Sequence, residues 1–261
     1  MTKQTMEIID THTHLYDEAF VSDVDMVITN ALSCGVSTML VPAIDRSTFD
    51  GMLALCSRYP QTLLPMIGVH PTSIKEDYKE ELELVEQQLK FFSDRYIAVG
   101  EIGLDFYWDT TFAAEQKDAL IKQLQWANQY DKPVDLHIRN AYTEMFEILK
   151  DIEVHRKGVF HCFSGDISEA WKAVEMGYAL GIGGVATFKK TSLVDIVREI
   201  PLEHIVIETD SPYLAPTPFR GKRNESSYCK IIAEKIAEIK SLSPEEVAIV
   251  TTQNAKNIFG I

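Results

Sequence analysis

Eight times along the chain, a short β-branched, apolar run gives way to a polar or glycine-bearing loop and then to an amphipathic helical stretch. The runs fall at residues 7–14, 36–42, 63–70, 96–104, 133–138, 158–163, 178–182 and 205–209. Eight strand–helix units at a mean spacing of roughly 30 residues match a (β/α)8 TIM-type barrel. The unbroken apolar character of 97–99 and 205–207 suits parallel strands covered on both faces. A doubly wound open α/β sheet is compatible with the same alternation. No G-x-G-x-x-G follows the first run, however, which disfavours a dinucleotide-binding version. No linker, repeat or low-complexity stretch interrupts the pattern, so a single domain over 1–261 is expected.

The helical stretches carry their own punctuation. Residues 24–34 put Val24, Val27, Ile28, Ala31 and Leu32 on one face, with Ser22 available as a cap. Residues 80–92 and 113–130 read the same way. Gly35 and Gly177 stand directly after helical patterns, where a C′ glycine belongs. The tail over 241–261 reads as a closing helix with Ser243 and Glu246 in a capping box.

Composition narrows the function. A net charge of −14 argues against a broad basic face for non-specific nucleic-acid binding, while leaving room for local phosphate contacts. No apolar run is long enough to span a bilayer. The first residues carry no secretory apolar core, so a cytoplasmic protein is expected; a monomer is a separate expectation, with no sequence feature behind it. Cys34, Cys56, Cys162 and Cys229 are scattered, as reduced thiols are, rather than spaced as a disulfide or zinc framework.

The histidines carry the strongest signal. Of seven, five stand at the C-terminal end of a strand run: His12, His14, His70, His137 and His161. That end of a barrel is where active sites are built. In Asp10-Thr11-His12-Thr13-His14, a period of two sends Asp10, His12 and His14 to one face. Two imidazoles about 6.7 Å apart along a strand can converge on one ion, with Asp10 as an orienting partner, directly or through backbone. Glu101 ends the fourth run; a carboxylate there is costly unless paired or coordinated, and its two oxygens could bridge two ions. Asp105 is placed for support behind it. His137 and His161 close neighbouring strands. Asp210 follows the eighth, beside the first strand once the barrel closes, with Glu208 on its period-two face.

Four imidazoles and two carboxylates without cysteine suit zinc, magnesium, manganese or similar divalent ions. Two such ions could activate water and clamp a phosphodiester. Asp210 is the natural proton acceptor, so Glu101 and Asp210 are the expected catalytic residues.

Taken with Gly68-Val69-His70-Pro71, Gly100-Glu101-Ile102-Gly103-Leu104-Asp105-Phe106, His137-Ile138-Arg139, His161-Cys162-Phe163-Ser164-Gly165, Thr187-Phe188-Lys189 and the stretch from Glu208 through Asp210 and Pro212 to Pro216, the chain resembles the TatD-like metal-dependent deoxyribonucleases over essentially its whole length. The resemblance implies a somewhat distorted barrel, two divalent ions and hydrolysis of DNA phosphodiesters, often from the 3′ end. Carried over, His12, His14, Glu101 and Asp210 would hold one ion; Glu101, His137 and His161 would hold the other. Three positions depart from the family's habit. Ser226 stands where proline is common, Asn140 where an acidic residue is usual, and Asp135 where the residue is more often apolar.

Arg139, Lys189, Arg220, Lys222 and Arg223 fall in loops on the metal-bearing face and are expected, with Ser164 and His70, to contact substrate phosphates or line the mouth. His70 is read as a non-ligand. Phe106, Tyr107 and Trp108 would stack on a base if exposed and pack if buried. An ester or amide hydrolase on the same scaffold, such as a D-aminoacyl-tRNA deacylase or a lactonase, is the competing function. Binuclear amidases of this scaffold commonly bridge their ions with a carboxylated lysine, whereas the fourth strand here offers Glu101. A non-catalytic metal-binding scaffold is the third reading.

Overall fold

In a computed structural model, which describes residues 6–261, eight parallel strands form one sheet in sequential order. Residues 1–5, on which part of the secretory reading rests, lie outside the described residues. The strands are β1 (Ile8–Asp10), β2 (Val36–Pro42), β3 (Leu63–Ile67), β4 (Ala98–Asp105), β5 (Val134–Arg139), β6 (Val159–Phe160), β7 (Ala179–Ile182) and β8 (Ile205–Ile207). Helices α1 (Val24–Ser33), α2 (Arg46–Arg58), α3 (Tyr78–Phe92), α4 (Ala113–Gln129), α5 (Tyr142–Asp151), α6 (Ile167–Glu175), α7 (Leu193–Glu199), α8 (Cys229–Lys240) and α9 (Pro244–Phe259) cover it. This is the expected TIM-type barrel, in one domain.

The distortion lies at the seam. Seven ladders join β1 through β8, but β8 meets β1 through a few bonds. Thr11 N–H donates to Ile207 O at 3.0 Å, Asp210 N–H donates to His12 O at 3.0 Å, and Thr13 and Ser211 form an isolated bridge. β1 is therefore shorter than the expected run over 7–14. His12 and His14 stand just past its ladder, held by this seam and by Thr13 N–H donating to Leu40 O.

Apolar burial explains the strands. Every residue of β4, β7 and β8 is buried, as strands packed on both faces require. The helices bury one stripe each: Val27, Ile28 and Ala31 of α1 are buried, while Leu32, expected on that face, is exposed. Asp23, not Ser22, occupies the N-cap of α1, and its carboxylate bonds Arg223 rather than the helix. Gly35 follows α1 at φ 92°, where L side chains are disfavoured. A Cβ at that position would also lie 2.1 Å from Met6 O. The Ser243–Glu246 capping box is formed as expected. The cysteines are free: Cys56 and Cys229 buried, Cys34 and Cys162 half-buried. No helix among the described residues is long and apolar enough to cross a membrane.

Candidate metal centre

The C-terminal ends of the strands open into a cavity of about 680 Å³ lined by His14, His70, Glu101, His137, His161 and Asp210. At its floor Glu101, buried on β4, turns its two oxygens to different histidines. Oε2 lies 3.3 Å from His12 Nε2 and 3.7 Å from His14 Nε2. Oε1 lies 2.8 Å from His137 Nδ1, 3.2 Å from His70 Nε2 and 3.7 Å from His161 Nε2. Asp210 Oδ1 completes the first group, 3.5 Å from His14 Nε2 and 3.9 Å from His12 Nε2. The six residues expected as ligands are thus gathered about one carboxylate. His70, expected only to line the mouth, stands among the donors nearest Oε1.

Nδ1 of each of three rings is already engaged. His12 Nδ1 is 2.8 Å from Asp135 Oδ2, and His161 Nδ1 is 3.1 Å from Glu208 Oε2. His14 Nδ1 is 3.1 Å from the Tyr16 hydroxyl, whose own proton goes to Pro42 O at 2.9 Å. With these groups at Nδ1, Nε2 of all three rings faces the cluster and is the atom each ring offers an ion once any proton there is displaced. Imidazoles that ligate divalent ions take this orientation, so the donor set fits such ions. Combinations of His12, His14 and Asp210, of His12, Glu101 and His161, and of His70, Glu101 and His137 each bring their donor atoms close enough for one ion.

Charge supports the same reading. Burial would raise the Glu101 carboxyl, but the charges of His70 and His12 and bonds from His12 and His137 hold it well below the carboxylate range. Burial likewise opposes charging His137, yet bonds to Asp105 and Glu101 carry it up to about 9. Burial pushes Asp210 up as well; the bond from His14 and the charges of His161 and His12 outweigh it and keep the carboxyl below its ordinary value. Asp210 adopts φ 56°, and Cys162, after His161, adopts φ 44°. Both are left-handed positions that cost a non-glycine residue of order 1–3 kcal/mol. They are held by Asp210 N–H donating to His12 O and by Cys162 N–H donating to Glu208 Oε1.

The family description "TatD related DNase" matches residues 9–260. The chain belongs to that family. The TatD-related match extends to YabD of Bacillus subtilis (strain 168), an uncharacterized metal-dependent hydrolase 36% identical over 97% of this chain and 99% of its own. The chain is also 32% identical, over 96% of each chain, to tatdn3 of Danio rerio, named as a candidate deoxyribonuclease. The crystal structure of the TatD homologue YjjV from Escherichia coli K12 superposes with a TM-score of 0.93 at 31% identity, covering 98% of this chain and 99% of that one. This chain is accordingly a metal-dependent hydrolase of the TatD family, with a His/Glu/Asp cluster able to hold metal.

The structure divides the expected substrate contacts. Arg139, Ser164 and His70 line the cavity. Lys189, Arg220, Lys222 and Arg223 are not among its lining residues. Lys189 and Lys222 are solvent-exposed, and Arg220 lies over the Phe188 ring. Arg223 is spent on Asp23, Glu225 and Ala19 O, a clamp between the segment before α8 and the entry to α1. Phe106 packs against the core, whereas Tyr107 and Trp108 are exposed. The Arg139 guanidinium sits 3.8 Å from the Tyr107 ring centre and 5.1 Å from that of Trp108.

Asp10 accepts N–H bonds from Thr209 at 2.9 Å and His12 at 3.4 Å and the Thr209 hydroxyl at 2.7 Å, and so supports the His12 backbone and not its ring. Ser226 is buried at this seam, its hydroxyl 3.4 Å from that of Thr13. Exposed Asn140 takes φ 54° past β5, a conformation asparagine tolerates. Sequence reasoning did not assign Tyr16, Asp135 or Glu208 to the rings they engage. For Tyr16 the available signal was its offset of two from His14; Asp135 and Glu208 share the period-two face of His137 and Asp210, which sets them near the mouth without naming the rings they engage.

Proposed function

We propose that this chain hydrolyses DNA phosphodiester bonds, trimming strands from a 3′ end, with two divalent ions at the cluster. The observation that carries this reading is the split environment of Glu101, with His12 and His14 at one oxygen and His70, His137 and His161 at the other. On this reading His12, His14, Asp210 and Glu101 hold one ion, and Glu101, His137 and His161 the other. Bound there, divalent ions supply the positive charge that acidifies water and offsets charge on phosphate oxygens.

The residues themselves do the remaining work. Asp210, ionised at neutral pH and facing the cavity, takes the proton of the attacking water. Glu208 and Tyr16 hold the His161 and His14 rings in place. Arg139 at the cavity wall meets a phosphate, while Trp108 offers its face to a base at the rim. A cavity of this size, beside one exposed aromatic pair, suits a strand end better than a continuous duplex.

The test is a panel on purified protein with defined metals: end-labelled single- and double-stranded DNA, RNA, D-aminoacyl-tRNA and simple lactones. Release of mononucleotides that disappears with EDTA and in Glu101→Ala supports the reading. Ester or lactone cleavage with inert DNA overturns it in favour of the competing hydrolase, and an inert protein across the panel favours the scaffold.

A further inference from the structure

Asp135 lies in the barrel interior, on β5. It is fully buried, and so is its partner His12, 123 residues away in sequence. Its Oδ2 is 2.8 Å from His12 Nδ1, while Oδ1 has no hydrogen-bond partner among the described residues. Glu208 differs, since it serves both the His161 ring and the Cys162 backbone. Asp135 bonds no backbone group, so holding a turn is not its task. Space for it is made by Gly100, where a Cβ would lie 2.5 Å from that of Asp135.

A buried carboxylate with one partner is costly to keep unless the pair serves a purpose. The purpose is visible on the other side of the ring. His12 stacks on His161 at 3.4 Å between centroids, and its Nε2 lies 3.0 Å from His14 Nε2 and 3.3 Å from Glu101 Oε2. A ring turned over, or protonated on Nε2, would present N–H where the cluster needs a lone pair.

From this geometry we infer that Asp135 is a positioning residue for the ion held by His12 and His14. It keeps the proton on His12 Nδ1, fixes the ring's rotation and adds negative charge behind the ligand. Carboxylates placed behind metal-ligating imidazoles act in this way. The inference rests on the metal reading of the cluster. Its consequence is unequal sensitivity: loss of Asp135 weakens the ion at His12 and His14 and spares the ion at His137.

The probe is Zn²⁺, titrated into the metal-stripped full-length chain against a competing chelator, with NMR of the His12 ring nitrogens in the zinc-loaded protein. Wild type is expected to bind two ions and to give a slowly exchanging Nδ1–H signal from His12. Asp135→Leu is expected to lose that signal and to weaken one ion about 10–100-fold, with the other little changed. Should Asp135→Leu fail to fold, the isosteric Asp135→Asn replaces it, with the same single ion weakened. Unchanged affinities in a folded variant, equal weakening of both ions, or a wild-type His12 protonated on Nε2 would overturn the positioning role alone. A wild-type protein that binds no zinc overturns both this role and the metal reading.

Discussion

Glu208 Oε2 lies 3.1 Å from His161 Nδ1, and the other oxygen of the same carboxylate accepts the Cys162 N–H at 2.7 Å. One side chain past β8 therefore fixes both a ring and the left-handed backbone turn that follows it at the end of β6. A carboxylate behind a ligating imidazole is commonly worth 10–100-fold in activity or metal affinity.

Glu208→Gln keeps the side chain's size and an acceptor for Cys162 but removes the charge. We expect kcat on a chromogenic phosphodiester to fall by about 10–100-fold, with KM nearly unchanged and thermal melting within a few degrees of wild type. A rise in KM with kcat preserved would contradict this assignment.

Chelation should both silence and destabilise the protein. Glu101, Asp105, Glu208 and Asp210 line one cavity, so ions bound among them stabilise the folded state by mass action. At an ion concentration about 100 times Kd the gain is about 2.7 kcal/mol, or several degrees in Tm. Calorimetry before and after EDTA, then after restoring Mn²⁺ or Zn²⁺, measures it.

Metal binding should be proton-linked. His137 is carried up to about 9 in the metal-free chain, above its unfolded value. Its contribution to metal-free stability is therefore complete below about 6.5 and is lost as pH rises through about 9. An ion that takes this ring must displace its proton. Apparent affinity should accordingly climb with pH across that window and level off above it, with proton release seen by calorimetry in buffers of different ionisation heat.

Trp108→Ala should spare the chemistry and weaken the strand. Stacking of a base on an aromatic ring is worth about 1–3 kcal/mol, so KM for oligonucleotides should rise at least about fivefold. Turnover of a small chromogenic phosphodiester should be unchanged. Equal loss on both substrates would mean that Trp108 acts on the cluster and not on a base.

Arg223 should behave as a structural clamp. Its bond to Asp23 holds that carboxyl below its ordinary value, so the stabilisation is present above about pH 4 and is lost as pH falls through the depressed value. Arg223→Ala should lower Tm at pH 7, with the difference shrinking towards pH 3, and leave DNA cleavage intact. Arg139→Ala should reduce cleavage with little change in Tm.

Much of this centre is legible in the chain. The eightfold alternation follows from apolar periodicity, a local property, and it places His12, His14, His137, His161 and Asp210 towards strand ends before any coordinate is known, whereas Glu101, expected at the end of its strand, stands inside β4. Partnerships are another matter. Asp135 meets His12 across 123 residues and Glu208 meets His161 across 47, because barrel closure and stagger, not sequence distance, decide which buried side chains face each other. The same holds for the loop cations. Arg139 and Arg223 look alike as charges after strands, yet one lines the cavity and the other is consumed by Asp23 and Glu225. Sequence alone determined eight strand–helix units with histidines and carboxylates gathered towards the C-terminal ends of the strands, since residue type and periodicity are local. Only tertiary structure decided which nitrogen of each ring is engaged and by which partner, since hydrogen bonds in a buried site depend on angles and distances of a few tenths of an ångström.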